Sequence, residues 1–337
     1  NSIGFFNDDE TTIKTQLRSL SSAQLLELHK RIGDDPALLS LVGEVQNALG
    51  GEDLEIANTF LTVHKNEQGN VVAQDVTQLG IDSDAISLFH SMDGLGTDEG
   101  SVLKQLEGRT PEQIEALKIA YLARAEKDAG DGEKTLSLEA QIKDEFNHSG
   151  DEGVGLFNGA DHQGDLALGL LSGDKVAVRA ARIEDGADGW FFGGGTDERS
   201  ILKELRGLTP EQRTALNTEY QAKYGRSLMD MVDSEFGNSG QSCMAAIAHQ
   251  TLEKGDADPV LKLQVAMDGF GTDEELLQEA LKGADGKALS QTEMSALKDR
   301  FRREYGIDLE DRIDGDIGGT EFLDARILLR IIVKLRK

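Results

Sequence analysis

Gly193-Gly194-Gly195-Thr196-Asp197-Glu198-Arg199-Ser200-Ile201-Leu202-Lys203-Glu204-Leu205, followed by Leu208-Thr209-Pro210-Glu211-Gln212, decides how the whole chain is read. Ile201, Leu202 and Leu205 share one stripe at helical spacing. Thr209-Pro210-Glu211-Gln212 opens a second helix: Thr caps it, Pro takes the first helical position, and Glu lies in the first turn. That helix ends at Lys223-Tyr224-Gly225, where Gly supplies the left-handed residue. An acidic segment, Asp233-Ser234-Glu235-Phe236, follows.

The pattern recurs along the chain, and internal repeats determine architecture. Gly94-Leu95-Gly96-Thr97-Asp98-Glu99 precedes Val102, Leu103, Leu106 and Arg109-Thr110-Pro111-Glu112-Gln113. Gly269-Phe270-Gly271-Thr272-Asp273-Glu274 precedes Leu276, Leu277, Leu281 and Glu304-Tyr305-Gly306. A first, eroded copy runs Asp9-Glu10-Thr11-Thr12-Ile13 to Leu17, with Phe5-Phe6-Asn7-Asp8 where the others carry the glycine loop. Insertions around Asp128–Thr135 and Ala284–Leu289, rich in Gly, Asp and Lys, read as surface loops. Strand signals are nearly absent, so the expected fold class is all-α. The expected divisions are 1–80 (degenerate repeat 1 and a linker), 81–172 (repeat 2), 173–254 (repeat 3) and 255–337 (repeat 4).

Composition limits what such an array can do. A chain of 337 residues can bury a substantial core. Its 35 Lys and Arg against 62 Asp and Glu, a net charge of -27, argue against binding nucleic acid through basic side chains. The single cysteine, Cys243, excludes an intramolecular disulfide and a cysteine zinc cluster. No apolar run approaches the ~20 residues that span a bilayer, so any membrane contact is expected to be peripheral. The reading is a cytoplasmic protein, with a secreted form left open; the chain opens on Asn1, so targeting signals outside it are not accounted for.

A glycine-rich loop recurring with a distant carboxylate is the layout of a repeated oxygen-ligand metal site, and calcium is the first hypothesis. Calcium takes roughly 6–8 oxygen ligands and tolerates irregular geometry. Glycines can turn several carbonyls toward one point, while a carboxylate arriving from elsewhere supplies charge. Gly195 and Glu235 are 40 apart (235 − 195), Gly96 and Glu145 are 49 (145 − 96), and Gly271 and Asp316 are 45 (316 − 271). The alternative is a plain turn whose Thr caps the next helix, with Asp and Glu at the positive end of its dipole; the two readings can coexist.

On these residues the chain resembles the annexin family: four repeats of about five helices, a Gly-Xaa-Gly-Thr loop between the first two, and an acidic residue about 40 positions on. Repeats 2, 3 and 4 carry the motif, and the first resembles the family only in its helical pattern. The insertions and acidic, glycine-rich composition depart from typical animal members, so the resemblance is to a divergent form of the kind expected in bacteria or protists. It implies four repeats forming a curved disc, no catalytic activity, and Ca2+ held by carbonyls of Met92, Gly94 and Gly96 with the Glu145 side chain. The same roles fall to Phe191, Gly193, Gly195 and Glu235, and to Met267, Gly269, Gly271 and Asp316. The implied partner is an acidic phospholipid surface bound in a calcium-dependent way, with self-association on the membrane as a further expectation. The runner-up is a calcium-stabilised scaffold for protein or glycan partners.

Other signals weigh less. Leu95 and Phe270 at the loop tips either dip toward headgroups or fold back on neighbouring helices. His64 to Asp75 has an aliphatic residue and a Gly placed as in an EF-hand but lacks the acids at both ends, and reads as a linker turn. The basic amphipathic tail Arg326–Lys337 reads as a last core helix before a membrane anchor. Cys243 has the company of a buried thiol, and Trp190 stands beside the third glycine loop. No Walker loop, nucleophile elbow or His-Glu-Xaa-Xaa-His is present.

Overall fold

The computed structural model describes residues 8–93, 97–129, 135–147, 162–188, 196–236, 243–268, 273–283 and 286–316, the side chains of 8–11, 147 and 314–316 aside. Among the described residues the protein is all-α, and two isolated bridges, Lys65 with Val71 and Lys282 with Ala288, are its only β features. Helices α1 (Asp8–Arg18), α2 (Ser22–Asp34), α3 (Pro36–Ala48) and α4 (Gly51–Leu61) come first. Then follow α5 (Val76–Ser91), α6 (Glu99–Leu106), α7 (Pro111–Asp128), α8 (Leu138–Asn147) and α9 (His162–Ser172). The next five are α10 (Lys175–Asp188), α11 (Glu198–Leu205), α12 (Pro210–Tyr224), α13 (Leu228–Glu235) and α14 (Cys243–Lys254). The last are α15 (Pro259–Ala266), α16 (Glu274–Ala280), α17 (Gln291–Tyr305) and α18 (Leu309–Asp316). Helix α5 opens at Val76, inside the segment that the sequence divisions gave to repeat 1. Contacts gather the chain into two bodies, residues 1–178 and 179–337.

Local chemistry sets the helix ends. Thr110, Thr209, Ser227 and Ser290 each close a capping box, in which the cap oxygen takes the amide three residues on and that residue's side chain returns to the cap amide. Two orphan donors are satisfied at once. At the other end, Gly225 (φ 74°) and Gly306 (φ 73°) adopt the left-handed conformation that stops α12 and α17. The segment 64–75 is a turn built on Asn66, whose side chain accepts the amides of Gln68 and Asn70. Cys243 is half-buried, not the fully buried thiol expected from its apolar neighbours; it opens α14 and shares that end of the helix with solvent.

In the first body, α5–α9 close around Ile81, Leu88, Met92, Val102, Leu106, Leu117, Tyr121, Ile142, Phe146 and Leu171. A second cluster joins α1–α4 to Ile86 of α5. Fully burying each such side chain stabilises the fold by about 1.5–3 kcal/mol. At the seam of α4, α5 and α7, Arg124 donates to both oxygens of Glu55 (2.6 and 2.8 Å) and stacks 4.1 Å above the Phe89 ring. His90 Nε2 lies 3.4 Å from the same carboxylate.

Partial burial raises the Glu55 pKa, but the Arg124 hydrogen bond and charge, with His90 behind them, overcome it and leave a net lowering. A carboxylate lowered on folding contributes stability that is present above its unfolded pKa and disappears as pH falls through the folded value. Glu55→Gln is therefore expected to destabilise the protein at pH ~7, with a deficit that shrinks as pH falls below the ordinary carboxylate range toward pH ~3. Urea melts at the two pH values measure that shrinkage; an equal deficit at both would show that packing, not charge, is what the substitution removes.

Candidate metal centre

Each glycine loop leaves one helix and enters the next through an aspartate. Asp98, Asp197 and Asp273 cap α6, α11 and α16, their Oδ1 atoms accepting the amides of Ser101, Ser200 and Leu276, each at 3.0 Å. The expected threonine cap is thus replaced by its neighbour. A carboxylate is the better acceptor at the positive end of a helix, and this frees the threonine hydroxyl to donate elsewhere.

It donates to the distant acid. Thr97 Oγ1 reaches Glu145 Oε2 at 2.9 Å across 48 residues, and Thr196 Oγ1 reaches Glu235 Oε2 at 3.3 Å across 39. The structure therefore brings each of these two loop ends against the carboxylate that the sequence paired with it. Glu145 is also held by Gln141 Nε2 at 2.8 Å. Nearby, the Tyr121 hydroxyl has its pKa pushed well up, first by burial and then by the charges of Glu145 and Asp93. Two carboxylates thus act on one corner of repeat 2. An oxygen-only donor set under negative potential suits a hard cation such as calcium.

The loops are clasped at their necks by backbone hydrogen bonds. Asp98 N donates to Ser91 O (2.9 Å) and Asp273 N to Ala266 O (2.8 Å), each seven residues back (98 − 91, 273 − 266). Asp197 N donates to Gly186 O (2.7 Å), eleven back (197 − 186). The residue after the clasp is Met92 in repeat 2 and Met267 in repeat 4, both buried and with near-identical backbone angles (φ −115°, ψ 3° and φ −107°, ψ 8°). In repeat 3 that place belongs to Ala187, and Ala187-Asp188-Gly189 lines up with Met92-Asp93-Gly94. The third loop therefore carries four extra residues. Phe191, placed by counting back from the glycines, lies outside the described residues, as do Gly94, Gly96, Gly193, Gly195, Gly269 and Gly271, and with them Leu95, Phe270, Trp190 and the 326–337 tail. Asp316 ends α18, its side chain outside the described set.

Arginines complete two of the three corners. Arg226 Nη1 donates to Glu235 Oε1 at 2.8 Å, while Nη2 holds Glu184 of α10 at 3.1 and 3.2 Å. Glu184 is buried and also accepts the Tyr220 hydroxyl. In repeat 4, Arg312 Nη2 donates to the Met267 carbonyl at 2.6 Å and stands 3.8 Å from Asp268. Sequence reading missed Gln141, Arg226 and Arg312; the signal available was their position, four or nine residues ahead of each acid.

Known proteins are similar to this chain in overall sequence. No family model matches the chain. Mouse annexin A13 is 32% identical over 128 residues, 38% of each chain. The Schistosoma japonicum annexin A13 is 27% identical over 259 residues, covering 74% of this chain and 70% of its own, and dog annexin A4 is 26% identical over 265 residues (75% and 71%). The sequence is thus similar to annexins over about three quarters of its length. The chain spans about 38% of the length of the mouse protein it matches. Among solved structures, chicken annexin V aligns with 98% of this chain and 91% of its own at 20% identity and a TM-score of 0.31, a loose superposition. No described helix is long and apolar enough to cross a membrane.

Proposed function

We propose that this protein binds calcium through the loops of repeats 2, 3 and 4 and docks, reversibly and only with calcium, on acidic phospholipid. The observation that carries this reading is the link from loop end to distant acid, Thr97 to Glu145 and Thr196 to Glu235. Each threonine fixes one carboxylate oxygen beside the loop before any ion arrives, so less ordering remains to be done on binding. Met92 and Met267 would present backbone carbonyls, with Ala187 at the equivalent place in repeat 3, and Glu145, Glu235 and Asp316 the carboxylates. The glycine carbonyls expected at 94, 96, 193, 195, 269 and 271 complete the set. A bound calcium ion supplies open coordination positions that lipid phosphates can fill, against a chain whose own charge of -27 repels such a surface.

Sedimentation with phosphatidylserine vesicles tests this. Wild type is expected to pellet with millimolar calcium and to stay in the supernatant with chelator. Glu145→Gln and Glu235→Gln keep the threonine contacts but remove the charge, and each is expected to raise the calcium needed for half-maximal pelleting about tenfold or more. Calcium binding without pelleting would replace the lipid reading with a calcium-stabilised scaffold for protein or glycan partners.

A further inference from the structure

The three loops are not chemically equal, and the difference lies in which group already holds the calcium-facing oxygens. This rests on the calcium reading above. In repeat 3 the Glu235 carboxylate is shared with the Arg226 guanidinium at 2.8 Å. That guanidinium is fixed from behind by buried Glu184, so it cannot swing away freely. In repeat 4 the Arg312 guanidinium holds the Met267 carbonyl at 2.6 Å, on an oxygen expected to face the ion, with the Asp268 carboxylate beside it.

Repeat 2 has no such cation at either place. Nine residues ahead of Glu145, where repeat 3 has Arg226 (235 − 9), stands Leu136; four ahead, where repeat 4 has Arg312 (316 − 4), stands Gln141. Gln141 Nε2 makes the equivalent bond to Glu145 Oε1 at 2.8 Å as a neutral amide. The threonine bond is also shorter there, 2.9 Å against 3.3 Å in repeat 3. An amide positions a carboxylate without opposing an incoming cation. A guanidinium positions it too, but a divalent ion must displace that charge or bind beside it.

We infer that Arg226 and Arg312 are resident counter-cations that hold the calcium affinities of repeats 3 and 4 below that of repeat 2. The loops then fill in order as calcium rises, repeat 2 first. Arginines at two different positions do the same work, so it follows from where the charge sits and not from a shared motif.

Calorimetric titration of the full chain with calcium chloride tests the order. Wild type is expected to show a tight step, lost in Glu145→Gln, and weaker steps that remain. Arg312→Gln, and Glu184→Gln combined with Arg226→Gln so that no buried charge is left alone, are each expected to tighten one weak step about tenfold. Arg226→Lys keeps the charge and is expected to leave its step weak. Trp190 fluorescence, three residues from Gly193, identifies the repeat 3 step. If both neutral variants, folded by circular dichroism, bind calcium no more tightly than wild type, the arginines hold ligands instead of competing, and the inference fails while calcium binding stands. Loss of a weak step in Glu145→Gln with the tight one intact would refute the order. Absence of calcium binding in wild type would overturn the calcium reading together with this one.

Discussion

Arg226→Leu is expected to lower the unfolding free energy by about 3–5 kcal/mol, and adding Glu184→Leu is expected to recover most of that loss. The asymmetry comes from burial. Glu184 is 7% exposed, and Tyr220, whose hydroxyl it accepts, is fully buried. Burial, then the Glu184 bond and charge, push the Tyr220 pKa well up, so that phenol stays a neutral donor and cannot neutralise the carboxylate. Arg226 is the nearby counter-charge, at 3.1 Å. Without it a buried carboxylate loses its counter-charge, which costs far more than the pair contributes net. Removing both charges spares that cost and leaves only the smaller one of a buried Tyr220 hydroxyl without its carboxylate acceptor. Urea denaturation of wild type, both single variants and the double at pH ~7 closes the cycle. A double variant as unstable as Arg226→Leu would mean that the hydrogen-bonded shape of the network, not its charge balance, is what the fold requires.

The same network shows where sequence reading stops. Capping boxes at Thr110 and Thr209 and left-handed glycines at Gly225 and Gly306 act within a few residues, so local pattern was enough to find them. The pairing of the second and third loops with Glu145 and Glu235 was legible too, because each acid sits in the same short segment of its repeat although the separations differ. The role of the threonines was not. Thr97 and Asp98 are adjacent and either can cap; the choice depends on Glu145, carried 48 residues away through α7 and α8. The third loop is harder to read for a related reason. Its run Gly193-Gly194-Gly195 permits two registers, and only the clasp from Asp197 to Gly186 fixes Ala187 as the counterpart of Met92. Arg226 and Arg312 were invisible because an arginine in an acidic chain reads as a solvated surface residue until its partner is located.

Gly164→Ala is expected to destabilise the protein by about 1–3 kcal/mol and to weaken calcium binding at repeat 2, although alanine is the better helix former. Gly164 lies in α9 against α8, and a Cβ added there would sit 2.7 Å from Phe146 Cβ, with the ring's Cγ and Cδ1 at 3.2 and 3.3 Å. Real Cβ atoms do not approach so closely. The nearest atom is itself a Cβ, so no rotamer change relieves the contact and the helices must part. The helix propensity gained, roughly 0.5–1 kcal/mol, is smaller than the cost of separating a well-packed pair. Phe146 is 5% exposed in the core of this body and adjoins Glu145, so moving α8 draws the carboxylate from Thr97. Truncating the ring in Gly164→Ala/Phe146→Leu leaves the Cβ in place and is expected not to rescue. Gly80→Ala in α5 is the control: nothing lies within 4 Å of its added Cβ, and it is expected to stabilise by roughly 0.5–1 kcal/mol. Thermal melts and calcium titration of the three variants decide the matter. Should Gly164→Ala gain stability as Gly80→Ala does, the α8–α9 approach is looser than described, and the link from that contact to Glu145 falls with it.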